Sequence, residues 1–266
     1  MNIREYYQKT AKACFCVAWI SLLLAIIFFV CHLLQLFEVD LLIFVIPIII
    51  FSVLHFFYFR TYDKRVAKLG DKPMQTSGQL LSIDHVLVVF MPAPTLRMLL
   101  FDSKGLLLGE VRDQNMRWFM WLIPNVVSLL LPKRFILLDS DGQVRAKYHT
   151  RAGLTNSMTI YNADGEIIGG YRENWKDSLI KIKGIIYKGN QSEWIAVESK
   201  ASLYSLQLKT IDKKNIASFQ EGWMPVEWAK RFELNTPIIT FSSIINEQER
   251  VIILGFLAAV LHHRDH

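Results

Sequence analysis

The sequence predicts two membrane-spanning helices followed by an all-β antiparallel barrel of about twelve strands, closed around a hydrophobic C-terminal helix. Three observations carry this prediction: two long uncharged runs near the N-terminus, a turn signal that recurs between short apolar stretches, and a terminal segment apolar on every side.

The uncharged runs come first. From Cys14 to Phe37 no charged residue occurs, and a helix over that run would extend about 36 Å, enough to cross a hydrocarbon core of about 30 Å. Leu41 to Phe59 is a second such run, close to the roughly 20 residues that a crossing needs. Pro47 is tolerable there because neighbouring helices re-satisfy the freed backbone groups. Glu38, Val39 and Asp40 alone separate the runs, so a helical hairpin is expected, with spans near 14–37 and 41–59. The anchor is assigned to 1–72 and the barrel domain to 73–266.

Charge at the flanks orients the hairpin. Arg4, Lys9 and Lys12 precede the first run, and Arg60, Lys64, Arg65, Lys68 and Lys72 follow the second, whereas the turn carries only acids. The positive-inside rule then places the N-terminus and the barrel on the cytoplasmic side of a multi-pass protein of the cell membrane. A cleavable signal is disfavoured by the length of the first run and the second run behind it. His32 and His55 lie within the spans, where neutral histidine near a helix end is preferred over an ion pathway.

The three cysteines, Cys14, Cys16 and Cys31, all fall in the first run, so the barrel domain has no disulfide and no thiolate ligand. The net charge of +6 and pI of about 9.2 suit anionic lipid better than nucleic acid in a chain so anchored, and no nucleic-acid module is recognisable.

Past Pro73 the pattern changes. Asp102-Ser103-Lys104-Gly105, Asp139-Ser140-Asp141-Gly142 and Asn162-Ala163-Asp164-Gly165 each join two apolar stretches, as hairpin loops do when glycine supplies the positive φ. Val144, Ala146 and Tyr148 alternate with Arg145, Lys147 and His149, a period of two that marks half-buried antiparallel strands. Strands are expected near 79–90, 96–101, 106–112, 134–139, 143–149, 153–161, 166–172, 179–187, 193–198, 202–210, 216–220 and 237–242. So many hairpin-linked strands favour closure, which removes exposed edges. The Asp139 loop lacks the twelfth-position glutamate of a calcium loop, where Thr150 stands, and is read as a plain turn.

The last segment fills the barrel. Asn246 with Glu249 three residues on makes a capping box, and Val251, Ile252, Ile253, Leu254, Phe256, Leu257, Val260 and Leu261 leave no polar face. The run is too short to cross a bilayer and must be buried all round.

The D-x-x-G hairpin series and the terminal segment from Asn246 to His266 resemble the tubby-like superfamily, which includes tubby C-terminal domains, LURP-one-related proteins and phospholipid scramblases. The resemblance covers 74–266 and implies a twelve-stranded barrel threaded by a hydrophobic helix. It also implies binding, of phosphoinositides or other lipids, rather than catalysis. The N-terminal hairpin departs from the usual arrangement of the family.

Candidate site residues follow from position. Arg145, Lys147, Lys181, Lys183 and Lys209 lie on charged strand faces and form either an anionic-lipid surface or a solvated outer wall. Trp118, Phe119 and Trp121 open an apolar stretch, 116–131, that suits a membrane interface. That stretch is read as an interfacial insertion, a cover over one barrel end or a re-entrant segment, the first two preferred. His262, His263, Asp265 and His266 make a poor metal site, since adjacent helical side chains diverge, and no metal or cofactor is assigned. The expected function is a non-enzymatic, membrane-anchored lipid- or protein-binding module. The alternatives are a scramblase-like lipid-translocating protein, a regulatory or protective partner of a membrane protein and, weakest, a metal hydrolase.

Overall fold

The computed structural model describes residues 1–35, 42–69, 79–116, 120, 131–151, 157–174, 181–200 and 204–262. The chain divides into two compact units, Met1–Pro73 and Met74–His266.

The first unit is a helical pair, α1 (Ile3–Leu33) and α2 (Leu42–Leu69). The Asn2 side chain caps α1 by accepting the Glu5 N–H at 2.9 Å. Ala11, Ala18 and Ala25 are buried at seven-residue spacing, and such small residues let two helix backbones approach. Across that contact the Ser52 hydroxyl donates to the Ala18 carbonyl at 2.8 Å. Ile20, Leu23, Ile27, Ile43, Ile46 and Ile50 point outward and exposed, and both helices are long and apolar enough to cross a membrane.

Both helices extend beyond the expected spans on the side away from the connection, α1 beginning near the N-terminus and α2 continuing through its basic flank, while α1 ends at Leu33, short of the expected Phe37. Packing explains the extension. Buried Tyr7 stacks on Tyr62 with ring centroids 5.9 Å apart, and the Arg65 guanidinium lies over the Tyr7 ring. The expected turn at Glu38–Asp40 lies outside the described residues.

The second unit is a nearly closed antiparallel barrel of twelve strands. These are β1 (His85–Phe90), β2 (Arg97–Phe101), β3 (Leu107–Asp113), β4 (Arg134–Asp139), β5 (Val144–Thr150), β6 (Ser157–Asn162), β7 (Ile167–Glu173), β8 (Lys181–Lys188), β9 (Glu193–Lys200), β10 (Ser205–Lys209), β11 (Asn215–Gln220) and β12 (Ile238–Phe241). Their order around the wall is β10-β11-β12-β1-β2-β3-β4-β5-β6-β7-β8-β9. Among the described residues a single bridge, Ile195 to Thr210, closes the seam between β9 and β10.

One device sets the register of five hairpins. At Asp139 the side chain accepts the N–H groups of Asp141 and Gln143 at 3.0 and 2.9 Å, while Gly142 takes φ 79. The register of β4 against β5 then slips by one residue between Leu137 and Leu138, as a G1 bulge does. The same slip closes the turns after β2, β6, β8 and β10. After β8 and β10 the positive φ falls on Gln191 and Lys213, without glycine. All five turns lie at one end of the barrel, here the turn end, and the longer connections leave from the opposite, loop end.

Within the wall runs α4 (Glu247–His262), entered from the turn end because β12 finishes there. Asn246 and Glu249 form the expected capping box, with reciprocal bonds of 2.9 and 3.0 Å. Every residue from Val251 to Leu261 other than Gly255 belongs to the core cluster built from the inward faces of the strands. Gly255 allows a close approach: a Cβ there would lie 2.8 Å from Ile160 Cδ1 on β6 and 2.8 Å from Tyr148 Cε1 on β5. The helix mouth is pinned by charge. Glu249 pairs with Lys188 at 2.6 Å, and buried Arg250 reaches Asp84 at 2.9 Å and the Ile83 carbonyl.

A second, smaller core lies outside the wall. Leu87, Leu99 and Phe101 point away from the helix yet are fully buried. The connection from β11 to β12, carrying the short helix α3 (Val226–Ala229), folds over them, with Phe232 6.1 Å from Phe101 ring to ring and Trp228 5.6 Å from His85.

Candidate functional site

Because α4 fills the interior, a ligand must meet this barrel on its outer face or at its ends. The outward positions therefore decide what the barrel can bind.

The five basic residues singled out from the sequence do not form one patch. Arg145 is the second residue of β5 and Lys209 the last of β10, both at the turn end. Lys181 and Lys183 begin β8 at the loop end. Three strand spacings separate β5 from β8, roughly 14 Å of wall. Two of the five already face acids: Arg145 holds Asp139 at 2.8 Å, and Lys183 stands 3.9 Å from Glu198. Burial pushes the Asp139 carboxyl up, but the Gln143 N–H, Arg145 and the Asp141 N–H together hold it below its usual range.

Lys147 differs, and its neighbours change its meaning. Arg134 on β4 stands directly opposite His149 on β5, and Lys147 projects from the same outer face one step along. On the other side Lys147 is opposite Tyr161 of β6, whose ring lies 4.7 Å from the His149 ring. Neither Arg134 nor Lys147 has an ion-pair partner among the described residues. Partial burial lowers the His149 pKa, and the positive charges of Arg134 and Lys147 lower it further. An uncompensated trio of this kind attracts an anion, which would relieve the mutual repulsion.

Sequence reasoning named Lys147 but missed Arg134 and His149. Both carry the outward parity of Lys147, a signal available in the alternation; the cross-strand pairing depends on the one-residue bulge at Leu137 and Leu138. Other basic side chains are paired, as in the Arg97–Glu110–Arg112 group, with both arginines 3.2 Å from the shared carboxylate. Lys133 is buried beside β4, and that burial pushes its pKa down to about 8, with Asp113 pulling the other way.

The helix residues Val251, Ile252, Ile253, Leu254, Phe256, Leu257, Val260 and Leu261 all sit in the barrel core. Trp118, Phe119 and Trp121 lie outside the described residues, as do His263, Asp265 and His266. No group of metal-ligating side chains gathers among the described residues. The outer core beneath the β11–β12 connection was not foreseen. Its signal is the unbroken apolar runs Val86–Phe90 and Met98–Phe101, which alternate too little for strands wet on one side.

These features define a class: a helical hairpin of membrane-spanning length joined to a helix-filled, twelve-stranded barrel. No protein-family model matches the chain, and no curated protein matches it. Among solved structures it is similar to the X-ray structure of a protein from Arabidopsis thaliana, at 10% identity and a TM-score of 0.43, over 66% of this chain and 90% of that one. These comparisons assign the chain to no family.

Proposed function

We propose that this protein is a membrane-anchored, non-catalytic binding module of tubby-like architecture. Its hairpin spans the cell membrane with both ends cytoplasmic, and its barrel engages anionic lipid headgroups. The observation that carries this reading is the uncompensated trio of Arg134, Lys147 and His149 on a wall whose interior is closed to ligands. Near an anionic bilayer each basic residue contributes about 1 kcal/mol of attraction. The trio offers two permanent charges beside an imidazole that can hydrogen-bond an anion's oxygen. A lipid-translocating role draws no support from the wall, whose outward positions include Arg134, Arg145, Lys147 and Lys209.

The test is amine-reactive footprinting of Lys147 in the full chain, held in nanodiscs of zwitterionic or anionic lipid. Protection of Lys147 in anionic discs, lost in high salt and lost in Arg134→Glu, is expected. Equal labelling in both discs would overturn the lipid-headgroup reading and leave a protein partner as the ligand to seek.

A further inference from the structure

The chain beyond β11 makes a turn that presents a tryptophan to solvent. Gly222 takes φ 86, a conformation other residues adopt with strain, and Pro225 fixes the backbone as the N-cap of α3. Between them Met224 points inward and is buried, while Trp223 points out and is 73% exposed. Val226, the first residue of α3, is 79% exposed. Tyr204 stands alongside at 63%, its carbonyl accepting the Glu221 N–H at 2.9 Å. The same connection buries Phe232 against the wall one turn later, so its large apolar residues divide between a packed set and a displayed one.

We propose that Trp223, Val226 and Tyr204 form the barrel's contact with the headgroup–acyl boundary of a lipid bilayer, with the Trp223 indole inserted. The inference rests on the membrane-anchored part of the proposed function and is independent of the basic trio. Three arguments select a bilayer as the occupant. Tryptophan and tyrosine, with an apolar body and a polar tip, are the side chains enriched at membrane interfaces. Residues 70–78 join α2 to Gln79, which lies at the turn end beside Ser140; nine residues reach about 30 Å at most, so a bilayer holding the hairpin is present near the whole barrel at high effective concentration. The charges nearby, Glu221, Glu227, Lys230, Arg231 and Glu233, nearly balance, so attachment here depends on apolar transfer and aromatic seating. The basic trio depends on salt; this contact does not. Trp223 follows the loop-end terminus of β11, while Arg134 and His149 lie towards the same end across the barrel.

The experiment uses the full chain with Cys14, Cys16 and Cys31 replaced by alanine, carrying Trp223→Cys labelled with a polarity-sensitive NBD fluorophore, in zwitterionic nanodiscs. The expected result is a blue-shifted emission that persists in high salt and is largely lost with lipids brominated near the headgroup. Ser140→Cys, at the turn end, should show neither effect. Val226→Cys, which leaves the indole in place, should behave as Trp223→Cys does and guards against a folding defect in the first variant. Water-like, unquenched emission at both 223 and 226 overturns the proposal. A blue shift without bromolipid quenching also overturns it, since a protein surface would then cover the site. If alkaline carbonate strips the chain from membranes, the anchored reading itself fails. If only the protection of Lys147 fails, the trio is wrong and the aromatic contact stands.

Discussion

Replacing Phe256 with alanine tests the threading of the barrel directly. The ring is fully buried at the middle of the core helix, with its centroid 4.9 Å from that of Tyr171 in an edge-to-face pair. Phe→Ala in a core costs about 3–5 kcal/mol through lost transfer and the cavity left behind. The upper half of that range applies here, because a wall held by continuous ladders cannot collapse inward and an aromatic pair worth about 1 kcal/mol is also lost. At about 2–4 °C per kcal/mol for a unit of this size, a loss of about 4 kcal/mol lowers the midpoint by roughly 8–16 °C. Thermal unfolding followed by near-UV circular dichroism, on the full chain in mild detergent, measures it. Benzene should restore part of the loss by occupying the dry cavity. Val144→Ala, at an exposed wall position, is the control and should move the midpoint by less than about 2 °C. A shift for Phe256→Ala no larger than the control would refute the argument that this helix is enclosed.

Four further outcomes follow from the same packing. Gly255→Val should destabilise by about 1–3 kcal/mol despite its better helix propensity, because its new carbons would meet Ile160 and Tyr148 on two rigid strands; the same thermal assay reads it. Tyr171→Phe should be neutral or stabilising by about 1 kcal/mol, since the buried Tyr171 hydroxyl has no hydrogen-bond partner among the described residues, and a clear loss of stability would reveal a partner for it. Glu249→Ala removes both the capping bond to the Asn246 N–H and the ion pair with Lys188, and should cost about 1–2 kcal/mol by denaturant titration. His149 has a lowered pKa when folded, from burial first and then from Arg134 and Lys147. The unfolded chain therefore takes up the proton first, and stability present above pH about 6.5 is lost as pH falls towards the folded value. His149→Gln should flatten that part of the stability–pH curve, and an unchanged slope would assign the loss to other groups.

What the sequence disclosed depended on how local each signal was. The core helix was legible because its two marks, the Asn246–Glu249 box and a run with no polar face, are contained within a few turns of chain. All twelve strands were legible, since short apolar stretches bounded by turn residues are local signals. The turn type was less legible, since Gln191 and Lys213 take the positive φ that glycine supplies elsewhere. The basic face was half legible: alternation places Arg145, Lys147, Lys183 and Lys209 on the outside, but their distance apart depends on strand order around a closed wall. The connection over Leu87, Leu99 and Phe101 was hidden because its partner strands lie more than a hundred residues earlier in the chain.

The order of the elements along the chain carries a consequence for biosynthesis. Val86 on β1 pairs with Ile239 on β12, and the helix that fills the barrel follows β12. A ribosome making this protein releases every strand before the residues that the strands enclose. Until then an entire inward face of valine, leucine, isoleucine and phenylalanine has nothing to cover it. Closure is therefore a late event of high contact order, slow by comparison with hairpin formation. An unclosed wall exposes apolar surface and is prone to aggregate until the helix arrives. Termination between Phe241 and Val251 would leave all twelve strands with nothing inside them.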